Sequence, residues 1–472
     1  MKGNEYTRLT KEASLSEAEL ESLKHSLWEI DCPQVTVESR SSQTPCKFSG
    51  SGFLKQIENH QLTFKFYVRQ GETTPDEGYY RLAALEDEIR LGESIPETAY
   101  YDLATLDYKG RLWRCERILI KIDRTASGDF IVRGNIPQIT CEGEIPEEVE
   151  CKGSSLEMRV FDNIEIPCNA KTSTSKSVAG GVPSQWISRN IWKFECCNLN
   201  FSLIREDSKL LVVNVISDRK DISEYLGERI LEALQFILGY PINWAISDRR
   251  AGHTTAVTLC SPKPRSISSR FQPPLILGGY FIEEAKVFRN LFEKYFQHVI
   301  DYNQRLHPLW TQLNAIHEAS CGTFIDAHAL TLVVAIESLL LVEFAALGEL
   351  TQEDRNSIQE ALKYIEKWDG KESIKKRIQG AIGGFYKIGA DNKIRILVDI
   401  GAVTYKQQQA WKKLRNTNVH EYQTNKLNND EFLKLIFEVN VLLYHLIFHA
   451  IGYEGPYMDV SVLDFPIKQY PL

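Results

Sequence analysis

HALTLVVAIESLLLVEFAAL, residues 328–347, decides how the last third of this chain is read. Its length and apolarity suit either a bilayer span or the central helix of a soluble bundle. Glu337 and Glu343 separate the two. In hydrocarbon each carboxylate costs roughly 2.5 kcal/mol or more on insertion scales, whereas in a bundle each can meet a partner or face a polar cleft. The stretch is therefore predicted as a buried bundle helix, with no membrane association.

The sequence on either side is helical too. FIEEAKVFRNLFEKYFQHVIDYNQRLHPLWTQLNAI (281–316) predicts one long or broken helix, interrupted near Pro308. TQEDRNSIQEALKYIEKW (351–368) opens with Thr351 and Asp354 in a capping-box pattern. A further helical segment approaches Arg415, and NNDEFLKLIFEVNVLLYHLIFHAIGY (428–453) is the last. Residues 280–472 are thus expected to form an all-α bundle, ending in an extended, proline-punctuated tail along the surface or a partner. GAIGGFYKIG (380–389) lacks the Lys-Ser/Thr of a P-loop and is expected to be an interhelical turn. His445 and His449 are four apart, but with no acidic or cysteine ligand evident beside them they are expected to pack rather than to bind metal.

Upstream of 280 the character of the chain differs. QLTFKFYVRQGE (61–72), LWRCERILIKIDR (112–124), GDFIVRGNIP (128–137) and SLEMRVFDNIEIP (155–167) have strand character between Gly, Pro and Asn. Residues 1–185 are expected to be a β-rich N-terminal sensor or regulatory domain, closed by the Ser/Gly-rich linker KTSTSKSVAGGVPS (171–184). Residues 186–279 combine the strands WKFECCNLNFSLI (192–204) and KLLVVNVIS (209–217) with the amphipathic helix DISEYLGERILEALQFILG (221–239), which predicts a small α/β middle domain. The fold class is multidomain α+β.

Composition narrows the function classes. At 472 residues, with 43% hydrophobic and 25% charged residues, the chain can build two or three ordinary cores. A net charge of −8 means that any nucleic-acid contact relies on a local patch. The ten cysteines include no Cys-x-x-Cys, and His253 and Cys260 lack a second ligand pair. The N-terminal residues carry no signal-peptide pattern, so free thiols and a cytoplasmic location are expected. His-Glu-x-x-His and Gly-x-Ser-x-Gly are both absent.

One polar cluster stands out, in WKKLRNTNVHEYQ (411–423). On a continuous helix Asn416 and His420 lie about 40° apart, whereas Arg415 and His420 lie about 140° apart. All three can line one groove if the helix loosens around Asn418, or if a second copy faces the first. These residue types suit RNA cleavage. Histidine transfers protons near neutral pH. Arginine clamps a phosphoryl oxygen and stabilises its developing charge. Asn416 can orient the phosphate or the histidine. Lys412 and Lys413 supply local positive charge, and Tyr422 can stack on a base. This chemistry calls for no metal or other cofactor. The structural alternative is an Arg415–Glu421 surface pair, with His420 placed by the helix dipole and the asparagines capping the turn.

The run Arg415-Asn416-Thr417-Asn418-Val419-His420 resembles the Arg-polar-x-x-x-His signature of the HEPN superfamily, helical-bundle domains that often act as metal-independent endoribonucleases in toxin–antitoxin, abortive-infection and CRISPR-associated systems. The resemblance covers roughly 280–455. It implies catalytic roles for Arg415, Asn416 and His420, with Glu337 on an earlier helix in support. It also implies a homodimer or higher homo-oligomer through the bundle, so that two motifs share a cleft. An RNA substrate follows, tRNA among the candidates, together with a phage-derived trigger or an antitoxin partner. The layout of the front two-thirds resembles the N-terminal region of ApeA-type anti-phage proteins. The rival expectation is a non-catalytic HEPN-like sensor or scaffold that binds RNA or protein without turnover.

Overall fold

The strand-like segments pair into one antiparallel sheet. The computed structural model describes residues 13–41, 45–68, 94–125, 129–146, 153–176, 184–219, 222–262, 271–276, 281–322, 324–386, 389–419 and 429–471. After a short helix α1 (Glu17–Lys24) come β1 (Glu29–Ser39), β2 (Lys47–Gln56), β3 (Leu62–Val68), β4 (Tyr101–Leu106), β5 (Leu112–Ile118), β6 (Ile120–Arg124), β7 (Phe130–Ile136) and β8 (Gln138–Glu144). They continue as β9 (Ser154–Val160), β10 (Ala170–Lys176), β11 (Ser184–Cys196), β12 (Leu199–Asp207), β13 (Leu210–Ser217), β14 (Ile246–Ala251) and β15 (Thr254–Cys260). The order across the sheet is β10-β11-β12-β13-β9-β14-β15-β8-β5-β4-β1-β2-β3-β7-β6.

Period-two burial explains why these segments are strands. In β3, Leu62, Phe64 and Phe66 are buried while Thr63, Lys65 and Tyr67 are not. β2 carries glycine at 50 and 52 because β3 passes close by. A Cβ there would come within 1.9 Å of the Tyr67 carbonyl oxygen and 2.0 Å of that of Lys65. The sheet is narrowest where β5 meets β8, through Trp113↔Cys141 and Arg114↔Thr140.

The chain forms two compact units, residues 1–227 with 242–265, and residues 228–241 with 266–472. The α+β arrangement is the expected one, but its division is not. The stretch 186–279 does not stand as its own domain. Its strands join the same sheet as those before 185, with β13 pairing β9 and β15 pairing β8. The helix between them belongs almost wholly to the other unit. The expected linker is also corrected. Both of its flanks are strands of a hairpin, registered from Ala170↔Ile191 to Lys176↔Ser184, and its 177–183 lie outside the described residues.

The second unit is helical. It contains α2 (Leu226–Leu238), α3 (Phe281–Val299), α4 (Pro308–Ser320), α5 (Ile325–Val342), α6 (Gln352–Lys367), α7 (Glu372–Gly384), α8 (Ala390–Asp399), α9 (Tyr405–Val419) and α10 (Asn429–Ile451). Pro308 starts α4 at its first turn, where its missing N–H costs nothing, and His307 is the N-cap. Thr351 and Asp354 close the expected capping box of α6. α5 packs against α4, α8, α9 and α10 through Leu332, Val333, Ile336, Leu339 and Leu340, all buried. The Leu340 carbonyl in its last turn and the Phe344 carbonyl just beyond its end accept from the buried Lys393 ammonium of α8 at 3.0 and 2.7 Å. By length and composition α5 and α10 could each cross a membrane. Within this unit α10 is buried continuously from Val439 to Phe448.

One further expectation is corrected here, and one is refined. Gly380, Gly383 and Gly384 lie inside α7 rather than in a turn. The tail is extended, with 462–465 and 467–469 exposed, but it pairs with itself and buries two tyrosines. It forms the hairpin β16 (Gly455–Met458) and β17 (Ile467–Tyr470), whose buried Tyr457 and Tyr470 meet His445 of α10 at ring distances of 4.8 and 5.0 Å.

Candidate functional site

The cluster expected from the sequence begins on α9. Its buried face, with Ala410, Trp411 and Leu414, seats the helix in the bundle. This leaves Arg415 and Asn416 exposed. The Arg415 guanidinium stands over the Trp411 ring, 5.4 Å from its centroid, and its Nε lies 2.7 Å from Glu337 Oε1 of α5. Two of the expected residues, distant in sequence, are thus brought into one ion pair. Both side chains are partly exposed, 47% and 31%, although the contacting Glu337 Oε1 is itself buried and the contact is an ion pair without hydrogen-bond geometry.

The other expected residues are placed less uniformly. Lys412 Nζ is 2.7 Å from Asp391 of α8, which offsets its charge. Lys413 is exposed on the same helix. His420 and Tyr422 lie outside the described residues, as does Glu421. The backbone of α9 remains helical through Val419. The helix does not loosen at Asn418. His445 is buried and bonded through Nδ1 to Gln407 Nε2 at 3.1 Å, and burial pushes it down to about 4. His449 is exposed, its ring parallel to that of Phe344 with centroids 6.0 Å apart. The two histidines share no site.

The face of α5 that carries Glu337 has a second feature. Leu330, Val334 and Leu341 fall with Glu337 at spacings of four, three and four, on one side of the helix. They are 42%, 52% and 61% exposed. An apolar stripe open to solvent therefore flanks the Glu337–Arg415 pair.

A separate group escaped the sequence reading. His298 in the last turn of α3, the N-cap His307 of α4 and the C-cap Glu343 of α5 offer nitrogen and oxygen atoms within 4.8 Å of one another. His298 Nε2 is 2.9 Å from Glu343 Oε2. Burial alone would raise the Glu343 carboxyl, but the hydrogen bond from His298 and the charges of His298 and His307 hold it below its usual range. Behind His307 lies the fully buried Glu232 of α2, with Oε1 3.2 Å from His307 Nδ1. Glu232 accepts from Tyr295 Oη at 2.9 Å and pairs with the buried Arg229 at 2.6 Å. The residues come from four helices and share no local motif, which is why no sequence pattern announced them.

No protein-family model matches the chain, and neither the curated proteins nor the solved structures compared with it include a match.

Proposed function

We propose that this chain is a metal-independent endoribonuclease of the HEPN type, with Arg415, Asn416, His420 and Glu337 as its catalytic group. The observation that carries this is the 2.7 Å Glu337–Arg415 contact. It ties the acidic residue of the most apolar helix to the arginine of the Arg-Asn-x-x-x-His run. Glu337 holds the guanidinium in place over Trp411, and an incoming phosphate takes the remaining donors. His420 moves the protons as the RNA 2′-hydroxyl attacks the adjacent phosphorus and the 5′-oxygen leaves. Cleavage then yields a 2′,3′-cyclic phosphate. In a cytoplasmic setting such an activity suits an abortive-infection effector that cuts tRNA or another cellular RNA, with the β-rich unit reading a trigger.

The test is incubation of purified wild type and His420→Ala with total cellular RNA in excess EDTA, with the cut ends mapped. Wild type should give discrete products that the variant does not. A single 2′-deoxy substitution at the cut site should stop cleavage there, and an unchanged rate would rule out 2′-hydroxyl attack. Binding without turnover by both forms would favour the sensor or scaffold instead.

In this proposal the protein works as a homodimer. With α9 helical through Val419, facing copies bring the arginine of one and the histidine of the other to one cleft. The exposed stripe of Leu330, Val334 and Leu341 beside Glu337 supplies the apolar contact. Val334→Glu is expected to shift the protein from dimer to monomer in sedimentation velocity and to reduce cleavage with it. A dimer unaffected by Val334→Glu and Leu341→Glu would place the interface elsewhere.

A further inference from the structure

We propose that His298, His307 and Glu343 hold a divalent transition-metal ion of the zinc class, with Glu232 orienting His307 from behind and water completing the shell. Two imidazoles and one carboxylate form a borderline-soft donor set, and three protein ligands with an open position are what zinc accepts. Calcium and magnesium demand more oxygens than this site offers. Tetrahedral ligand atoms at zinc distances are about 3.3 Å apart. His298 Nε2 and Glu343 Oε2 stand at 2.9 Å and the whole set within 4.8 Å, so small rotamer changes suffice.

The surroundings are built for a ligating histidine. His307 Nδ1 lies 3.2 Å from both the Leu309 amide nitrogen and Glu232 Oε1. Only one of these contacts can be a hydrogen bond at a time. With the proton on Nε2, Nδ1 accepts from Leu309. With a metal on Nε2, the proton resides on Nδ1 and is donated to Glu232, the carboxylate–histidine–metal relay that fixes ring orientation and raises ligand basicity. Arg229 and Tyr295 already hold Glu232 in position, so the relay needs no rearrangement at its far end. An ordinary His298–Glu343 ion pair accounts for one contact of this group. It does not account for a second imidazole within 4.8 Å of the same two groups with a fixed, buried carboxylate behind it.

The ion would clip three helix ends together. Glu343 follows Glu337 by six residues, about 9 Å along the axis and about 240° around it, so the clip does not enter the Arg415 site. The two assignments can therefore fail separately.

The test uses the untagged full chain, stripped with chelator and titrated with Zn²⁺ alone by calorimetry. Wild type should bind one equivalent. His298→Gln and Glu343→Gln should each weaken binding by at least about 100-fold, beyond the ~10–100-fold typical of an outer-shell change. Zinc should raise the melting temperature of wild type, on the order of 5 °C at saturating metal, and leave that of both variants unmoved. Circular dichroism establishes that the variants are folded, and Co²⁺ loaded into wild type should show the visible bands of a tetrahedral site. Wild type that takes up no stoichiometric zinc, or zinc bound equally by all three proteins, overturns the assignment. RNA cleavage that persists in EDTA below the melting temperature leaves it standing.

Discussion

Arg415→Ala is expected to lower RNA cleavage by about 100-fold or more while leaving the protein folded. The magnitude is that of removing one charge-stabilising donor from a developing oxyanion. The structural cost is small, because the Arg415 side chain is largely exposed and pairs with one exposed partner contribute about 1 kcal/mol or less. The two readouts therefore separate: initial cleavage rate falls, melting temperature does not. Arg415→Lys should fail to restore the rate, since a point charge cannot reproduce the planar fork held between Glu337 and Trp411. Glu337→Gln should lose about 10-fold, because it acts by positioning the arginine. The double variant Arg415→Ala/Glu337→Gln should be no slower than Arg415→Ala alone, as two residues working as one unit are not additive. Wild-type cleavage by Arg415→Ala would remove Arg415 from the site and leave the ion pair as a surface contact.

The helical unit was legible because its signals are local. Thr351 and Asp354 announce a cap, and Pro308 announces a start. The sheet was legible as strands but not as pairings. β9 lies between β13 and β14, partners that follow it at different removes in the chain, and no residue of β9 encodes either choice. The division at 185 failed for the same reason, since β11 spans it and pairs on both sides. The linker expectation weighed Ser and Gly and overlooked Thr172 and Thr174, β-branched residues that suit an edge strand. The tail was legible as extended through its prolines, while Tyr457 and Tyr470 supplied the burial that decides its place. The Arg415–Glu337 juxtaposition was available only through a resemblance, because the spacing of two residues on separate helices carries no periodicity. His298, His307 and Glu343 were invisible for a further reason. Each sits at a helix end, and only tertiary packing brings those ends together.

Glu232→Ala should destabilise the helical unit by about 3–5 kcal/mol, the cost of leaving a buried charge without its partner. Arg229 and Glu232 are both fully buried and 2.6 Å apart on successive turns of α2. The guanidinium also donates to the backbone carbonyls of Gln304 and Arg305, which anchors the loop leading to His307. Removing the carboxylate leaves the buried Arg229 charge uncompensated and the Tyr295 hydroxyl without its acceptor. Replacing both charges, as Arg229→Met with Glu232→Leu, should recover most of the loss, because well-packed apolar side chains substitute for a buried ion pair at little net cost. Amide exchange is the suitable measurement, since it assigns the loss to one unit, which a melting curve for a chain of two units does not. Peptides of α2 and α3 should lose protection in Glu232→Ala, while those of β3 and β7 in the other unit stay as in wild type. Recovery of stability in the double replacement without recovery of zinc affinity would separate the two roles of Glu232, because only the carboxylate can accept the Nδ1 proton of a metal-bound His307. Unchanged exchange in α2 of Glu232→Ala would mean that water replaces the lost partner and that the pair contributes little to the fold.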